Sequence, residues 1–291
     1  MLGRLLFLVA ALLLPMAAQA AQLLDVAFPS AALGRDYKLQ VYLPDGYDAG
    51  TARYPTLYLL HGANGDEKEW VQKGDALTSL NKLITTGDIP PMVVVMPGHT
   101  QAWWSDGNKE LGETALLKEV VPFVERTYRV IAAKRGRLVA GNSAGGFATI
   151  NMVLKYPDLF AAAAALSPAI YAPLPPETSS ARKNHPFLVD GKFDPASWQR
   201  LNWPAWFEGY KAQSTRVPLY INSGDQDRFD IAYHAAVVYQ KFREIQPKIT
   251  SFRVVGGDHE WPVWAETFPD AARFLARFVA RPEAVETASR P

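Results

Sequence analysis

The sequence of 291 residues contains no cysteine. This absence excludes disulfide bonds, thiol nucleophiles and cysteine-ligated zinc sites. An excess of charge of one sign is also missing, since 30 Lys and Arg residues face 29 Asp and Glu residues. A net charge near zero gives no electrostatic basis for binding nucleic acid or an anionic membrane. Stability must come from packing, in agreement with a hydrophobic content of 48%.

The N-terminal apolar segment, residues 5–14, is too short to span a bilayer comfortably. It follows Arg4 and precedes the small-x-small sequence Ala18-Gln19-Ala20, a pattern typical of a secretory signal peptide. We therefore expect cleavage after Ala20, a secreted or periplasmic protein and no stable membrane insertion; a retained membrane anchor is the alternative. Residues 21–280 are expected to form one domain, and residues 281–291, which lack apolar periodicity, to fray.

Strand-like and helix-like segments alternate along most of the chain. Residues 36–43 alternate apolar and polar side chains as an amphipathic strand does, and residues 230–246 carry apolar residues at helical spacing. Short continuous apolar runs occur at residues 56–60, 92–96, 137–140, 161–166, 219–222 and 251–255. Such runs indicate buried strands. The pattern predicts an α/β fold with a mostly parallel, doubly wound sheet flanked by helices. Residues 171–206, too long for a plain connection, are expected to form an insertion between strands 6 and 7 beside the site.

A G-x-S-x-G pattern at residues 141–145 lies between an apolar run and a helix-like segment. In this context the pattern is typical of a nucleophile elbow, a sharp turn on which Ser143 would be exposed for attack. The flanking glycines would let strand and helix approach closely. An ordinary turn is the alternative, because the pentapeptide alone is common.

Candidates for the base and the acid follow later strands in the order expected for a serine hydrolase. His259 comes directly after the last apolar run and is the best candidate for the base. Asp225 and Asp227 share the loop after residues 219–222, and either could orient the imidazole or act only in turn formation. Asp258 is a sequence neighbour of His259 and can rarely reach the imidazole, so we discount it.

An oxyanion intermediate requires two backbone donors. One is expected from the N–H of Ala144, the residue after the nucleophile, and the other from the loop after the third strand. That loop reads His61-Gly62-Ala63-Asn64-Gly65, and the N–H of Ala63 is our candidate. An ordinary glycine-rich turn is the alternative, and His61 is expected to be structural.

Tryptophan is abundant near these loops. Candidates for a substrate pocket are Trp103, Trp104, Trp203 and Trp261, with core packing as an equally weighted alternative. No cofactor is expected. No metal is expected either, because no two histidines have the spacing of a shared helical face.

The chain resembles the putative-esterase family of α/β-hydrolases, which includes feruloyl esterases, S-formylglutathione hydrolase and mycolyltransferases of the antigen 85 type. The similar segments are residues 58–62, 94–97, 120–130, 141–145, 166–168, 224–229 and 257–264. The family's acid commonly falls in a G-x-x-D-x-F pattern, matched by residues 224–229, so the resemblance favours Asp227 over Asp225. The family's elbow often carries Leu and Met beside the serine, where this chain has Asn142 and Ala144.

Together these features predict a secreted serine carboxylesterase that forms an acyl-enzyme on Ser143, with His259 as base and Asp227 as acid. The expected partner is a small-molecule or saccharide-linked ester. Export argues against the cytosolic formylglutathione role. An acyltransferase that uses the same acyl-enzyme and a non-catalytic hydrolase-fold binding protein are the alternatives.

Overall fold

The structure of the protein, a computed structural model, describes residues 20–98 and 103–284. The predicted signal peptide, apart from Ala20, lies outside the described residues, as do residues 285–291 of the predicted tail. No helix in the described part of the chain is long and apolar enough to cross a membrane.

The centre of the fold is an eight-stranded, mostly parallel sheet. Its strands are β1 (Gln22–Ser30), β2 (Arg35–Leu43), β3 (Thr56–Leu60), β4 (Val93–Gly98), β5 (Arg137–Asn142), β6 (Ala162–Leu166), β9 (Leu219–Gly224) and β10 (Thr250–Val255). The two strands between β6 and β9 in the chain, β7 (Leu188–Val189) and β8 (Lys192–Phe193), form a separate hairpin. The order across the sheet is β1-β2-β4-β3-β5-β6-β9-β10. Only β2 runs against both of its neighbours, β1 and β4.

Helices connect the strands and cover both faces of the sheet. They are α1 (Glu69–Gln72), α2 (Ala76–Thr85), α3 (Gly112–Thr114), α4 (Val121–Thr127), α5 (Ala144–Lys155), α6 (Pro195–Leu201), α7 (Pro204–Ala212), α8 (Ile231–Ile245) and α9 (Trp261–Ala276). A π-helical segment, Ala115–Val120, joins α3 to α4, and 3-10 turns occupy Lys134–Gly136, Ser180–Lys183 and His185–Phe187.

The two faces of the sheet bury two separate hydrophobic clusters. One contains side chains from α4, α5, α7 and α8, and the other contains side chains from α1, α2 and α9. Strands between the two layers are apolar on both faces, which explains the continuous apolar runs of the sequence. The predicted doubly wound α/β architecture is confirmed.

The structure adds one strand that the sequence patterns do not predict and places part of the tail. β1 pairs with β2 along its whole length at the edge of the sheet.

Near the C-terminal end of the chain, Glu283 and Arg53 exchange two backbone hydrogen bonds. The N–H of Glu283 donates to the Arg53 carbonyl at 3.0 Å, and the N–H of Arg53 donates to the Glu283 carbonyl at 2.8 Å. Ordered pairing therefore extends into the segment that was expected to fray, because Glu283 completes a short bridge with the chain before β3.

Residues 171–206, expected to form an insertion, contain the β7–β8 hairpin, two 3-10 turns and α6. They lie in the chain between β6 and β9, which pair directly in the sheet. Trp198 and Asn202 donate side-chain hydrogen bonds to the Tyr171 carbonyl, at 3.2 and 2.6 Å. Trp203, in the same segment, donates from its indole nitrogen to the Ile170 carbonyl at 3.1 Å, which ties the segment to the chain that precedes it. Its status as an insertion, and the domain limits of 21–280, stay predictions.

Candidate active site

Ser143 lies on the turn between β5 and α5, with φ 51° and ψ −113°. A positive φ strains a residue that has a side chain, so the surrounding structure must hold it in place. The Ser143 N–H donates to the Leu166 carbonyl at 2.9 Å, and its own carbonyl accepts from the N–H groups of Phe147 and Ala169, at 2.9 and 3.0 Å. The turn thus fixes the Ser143 hydroxyl at the carboxyl edge of the sheet.

Glycines on both sides of the serine allow this turn. A Cβ atom on Gly145 would lie 2.5 Å from the carbonyl oxygen of Leu60, and one on Gly141 would lie 2.6 Å from the carbonyl carbon of Gly145. Both distances are too short for any side chain. The close approach of α5 to β3 and β5 therefore depends on the glycine pattern of residues 141–145.

His259 joins the serine to an aspartate. Its Nε2 lies 2.8 Å from the Ser143 Oγ, and its Nδ1 lies 2.7 Å from the Asp227 Oδ2. A carboxylate can only accept, so the imidazole donates from Nδ1 and its Nε2 is free to accept the serine proton. The other oxygen of Asp227 accepts from the Phe229 N–H at 3.0 Å, and the Asp227 side chain is fully buried. This chain of hydrogen bonds has the geometry of a nucleophile, a base and an orienting acid.

The neighbouring carboxylates point elsewhere. Asp225 accepts from the Gly257 N–H at 3.0 Å and so holds its own loop to the one that carries the histidine. Asp258 accepts from the backbone N–H groups of Arg228 and His259, at 2.8 and 2.6 Å. The bond from Arg228 is the main reason that the pKa of Asp258 is lowered. Asp227 is the one of the three whose hydrogen bond to the imidazole ring is observed.

Aromatic rings hold the imidazole from two sides. The His259 ring packs edge-on against Phe229 at 5.0 Å and against Trp264 at 5.1 Å between ring centroids. The sequence patterns did not identify these contacts, although both residues lie in motifs used to find the triad candidates. Packing of this kind limits rotation of the ring and preserves its two hydrogen bonds.

The two expected oxyanion donors border the serine. Ala144 is the first residue of α5, and the first N–H groups of a helix have no acceptor within the helix. Ala63 lies in a turn closed by the Gly65 N–H, which donates to the Gly62 carbonyl at 3.3 Å. A Cβ atom on Gly62 would lie 3.3 Å from the Ser143 Cβ, so this loop contacts the nucleophile directly. Ala63 and Ser143 line the same cleft.

Buried side chains support the loop that carries Ala63. Trp70 donates from its indole nitrogen to the Leu60 carbonyl at 3.0 Å, and Trp104 donates to the His61 carbonyl at 3.1 Å. His61 itself is buried, and its Nδ1 lies 2.6 Å from the Gly62 carbonyl. Burial lowers the pKa of His61 to about 4, because the charged imidazolium would lose its hydration. These contacts agree with a structural role for His61.

The cleft beside Ser143 has a volume of about 370 Å³. Of the four tryptophans expected to line a substrate pocket, the structure places only Trp261 there, together with Trp264, Phe229 and Ser180. Trp103, Trp104 and Trp203 are buried in the core instead. This corrects the pocket expectation for those three. The reason is that large apolar rings gain most from burial, and the indole N–H of Trp104 and that of Trp203 find backbone carbonyls there.

Among the described residues, no group of three or more His, Asp or Glu side chains is arranged to hold a metal ion. The cleft brings a hydroxyl, an imidazole and a carboxylate into one chain of hydrogen bonds, next to backbone N–H groups.

Comparison with known proteins places the chain in a family. The sequence profile of the family described as "Putative esterase" matches residues 30–275, which is most of the chain. The chain belongs to this family. The esterase family resemblance predicted from the sequence motifs is confirmed.

Individual relatives agree with the family assignment. The chain is 33% identical over 158 residues to an endo-1,4-beta-xylanase/feruloyl esterase of Xylanibacter ruminicola, a match that covers 51% of this chain but only 22% of that protein. It is 28% identical over 277 residues to the MPT51 antigen of Mycobacterium leprae, a match that covers 85% of this chain and 84% of that protein. A solved structure of a ferulic acid esterase superposes with a TM-score of 0.78 at 24% identity, covering 90% of this chain and 100% of the other. That superposition supports the α/β-hydrolase fold.

Proposed function

We propose that the protein is a serine carboxylesterase whose catalytic residues are Ser143, His259 and Asp227. The observation that carries the proposal is the continuous chain of hydrogen bonds from the buried Asp227 through His259 to the Ser143 hydroxyl. Family membership supports ester hydrolysis as the reaction class.

The geometry supports a two-step reaction. As Ser143 Oγ attacks the ester carbonyl, His259 Nε2 takes the hydroxyl proton, and Asp227 stabilises the imidazolium that forms. The N–H groups of Ala63 and Ala144 hold the resulting oxyanion. The intermediate then collapses, the proton passes from His259 to the leaving alcohol, and an acyl-enzyme remains. Water, deprotonated by the same imidazole, releases the acid and restores the serine.

The proposed substrate is a small-molecule or saccharide-linked ester. Two of the relatives are named for feruloyl or ferulic acid ester hydrolysis. Trp261, Trp264 and Phe229 give the cleft aromatic walls against which a phenolic acyl group could pack. We further propose that the protein is secreted or periplasmic and that its signal peptide is cleaved after Ala20. N-terminal sequencing of the exported protein checks that position.

Hydrolysis of a series of p-nitrophenyl esters, from acetyl to octanoyl and feruloyl, tests the proposed activity. The mature protein should release p-nitrophenol from at least one ester, and Ser143→Ala should reduce kcat by roughly 10⁶. The preferred acyl length then measures the size of the pocket. Folded protein that turns over none of these esters would contradict the proposal. Product that forms only when an acceptor alcohol or sugar is added would indicate an acyltransferase.

A further inference from the structure

Negative charge predominates around the cleft beside Ser143. The residues that line the cleft include Glu69 and Glu260, and none of the described lining residues is a lysine or an arginine. Because the chain as a whole has almost no net charge, this imbalance is local.

Most of the charges near the cleft are compensated. Glu69 forms an ion pair with Lys73 at 2.6 Å, and Asp258 forms one with Arg228 at 3.5 Å. The proposed reaction requires His259 to begin as a neutral base, so the charge of Asp227 has no cationic partner before the attack. That carboxylate is buried behind the imidazole and does not reach the substrate.

Glu260 is the carboxylate that remains. It is exposed, lines the cleft and forms no ion pair within the part of the chain that the structure describes. It occupies the N-cap position of α9 but makes no side-chain capping hydrogen bond. The positive end of that helix carries only about half an elementary charge, which is less than the full charge of the carboxylate. The rim of the cleft is therefore net negative at Glu260.

The other walls of the cleft offer no cationic side chain of lysine or arginine to a negative substituent. Phe229, Trp261 and Trp264 contribute aromatic side chains to the lining, and any ring face that meets the substrate attracts a cation rather than an anion. Asn142, which also lines the cleft, is fully buried and carries no charge, and both polar atoms of its side chain are without a protein partner. Nothing in the described lining offers an anion a salt bridge.

We propose that this cleft selects neutral and cationic esters over esters that carry a negative charge near the scissile bond, and that Glu260 is the selecting group. The inference rests on the proposed esterase function. For two like charges taken to be about 8 Å apart in a medium of effective dielectric constant about 40, the repulsion lowers kcat/KM about fivefold. Screening by salt reduces the effect.

Three meta-substituted phenyl acetates test the selection: 3-carboxyphenyl, 3-carbamoylphenyl and 3-(trimethylammonio)phenyl acetate. All give the same acetyl-enzyme, so kcat/KM reports the step in which the charged phenol is still present. Each value is divided by the rate constant for the reaction of the ester with imidazole, a neutral nucleophile, which removes differences in leaving-group reactivity without adding a charge effect. We expect the anionic ester to be about fivefold poorer than the neutral amide, and the cationic ester to be equal to it or better.

Glu260→Gln should bring the normalised rate constants for the anionic and neutral esters close together, as should 0.5 M NaCl with the wild-type protein. Glu266→Gln, the same charge change on an exposed face of α9, is the matched control and should leave the ratio unchanged. The ratio is measured within one protein sample, so partial misfolding does not alter it. The proposed selection would be overturned if the wild-type protein had the same normalised kcat/KM for the anionic and neutral esters. It would also be overturned if Glu260→Gln and Glu266→Gln changed the ratio of these two values equally. Either result would leave the esterase function standing. Absence of turnover of the neutral ester by folded protein would overturn both.

Discussion

Gly145→Ala tests whether the glycine contact between α5 and β3 keeps the proposed oxyanion donors in place. The added Cβ would lie 2.5 Å from the Leu60 carbonyl oxygen and 2.8 Å from that of His61. Ordinary contact begins at 3.4 Å, so helix and strand must separate by about 0.9 Å. Backbone atoms cannot turn aside as a flexible side chain does. Overpacking of this kind costs about 1–3 kcal/mol of unfolding free energy.

The same displacement should affect catalysis. Gly145 directly follows Ala144, His61 begins the loop that contains Ala63, and Leu60 directly precedes that loop. Separation of the two segments therefore moves the two oxyanion donors apart. A misplacement of about 1 Å can lower the rate about 10²-fold. We expect kcat for p-nitrophenyl acetate to fall by that order in Gly145→Ala at a temperature where the variant is still folded.

Gly209→Ala is the matched control for this prediction. Gly209 lies within α7, and apart from its chain neighbours and the backbone of its own helix no atom lies within 4 Å of the position its Cβ would take. Alanine is favoured over glycine inside a helix by about 1 kcal/mol, so this variant should be slightly more stable than the wild type and equally active. Urea unfolding gives the free energies. Wild-type stability and activity in Gly145→Ala would refute the reasoning, because the contact would then not be as tight as the structure shows.

Two further predictions concern the acid and the buried histidine. Asp227→Asn should lower kcat by roughly 10⁴. Asp225→Asn keeps an amide oxygen that can accept from the Gly257 N–H, so it should retain activity within about tenfold. The reverse ranking, measured by steady-state kinetics, would assign the acid to Asp225. His61 has a folded pKa of about 4, below its unfolded value of 6.5, so the unfolded chain takes up the proton first and stability falls as the pH drops from 6.5 towards 4. Between pH 7.5 and 4.5 the wild type should lose about 2.5 kcal/mol more unfolding free energy than His61→Asn. Parallel pH profiles in urea unfolding would show that His61 is not buried as a neutral ring.

The parts of the site that could be predicted are those that local chemistry dictates. Only glycine fits on both sides of Ser143, so the elbow leaves a pattern in the sequence. His259 was identified because the last apolar run places it at the carboxyl edge of the sheet. Asp227 required the family resemblance, since local chemistry suits Asp225 equally well and the direction of each side chain depends on the folded loop.

Features that depend on packing between distant segments were not predictable. The positions of Trp103, Trp104 and Trp203 in the core follow from contacts with other elements, which no local pattern encodes. The same is true of the aromatic rings that hold His259. β1 is an edge strand whose residues are mostly only partly buried, so its stability comes from pairing with β2 rather than from a strong apolar pattern.

The measurement that tests the central claim most directly is covalent labelling by a fluorophosphonate probe, followed by mass spectrometry of the modified peptide. A serine activated by His259 should react in the native protein, and the adduct should be found on Ser143. His259→Ala, which leaves the serine without its base, should remain unlabelled. Folded wild-type protein that does not react, or that reacts at another residue, would contradict the account.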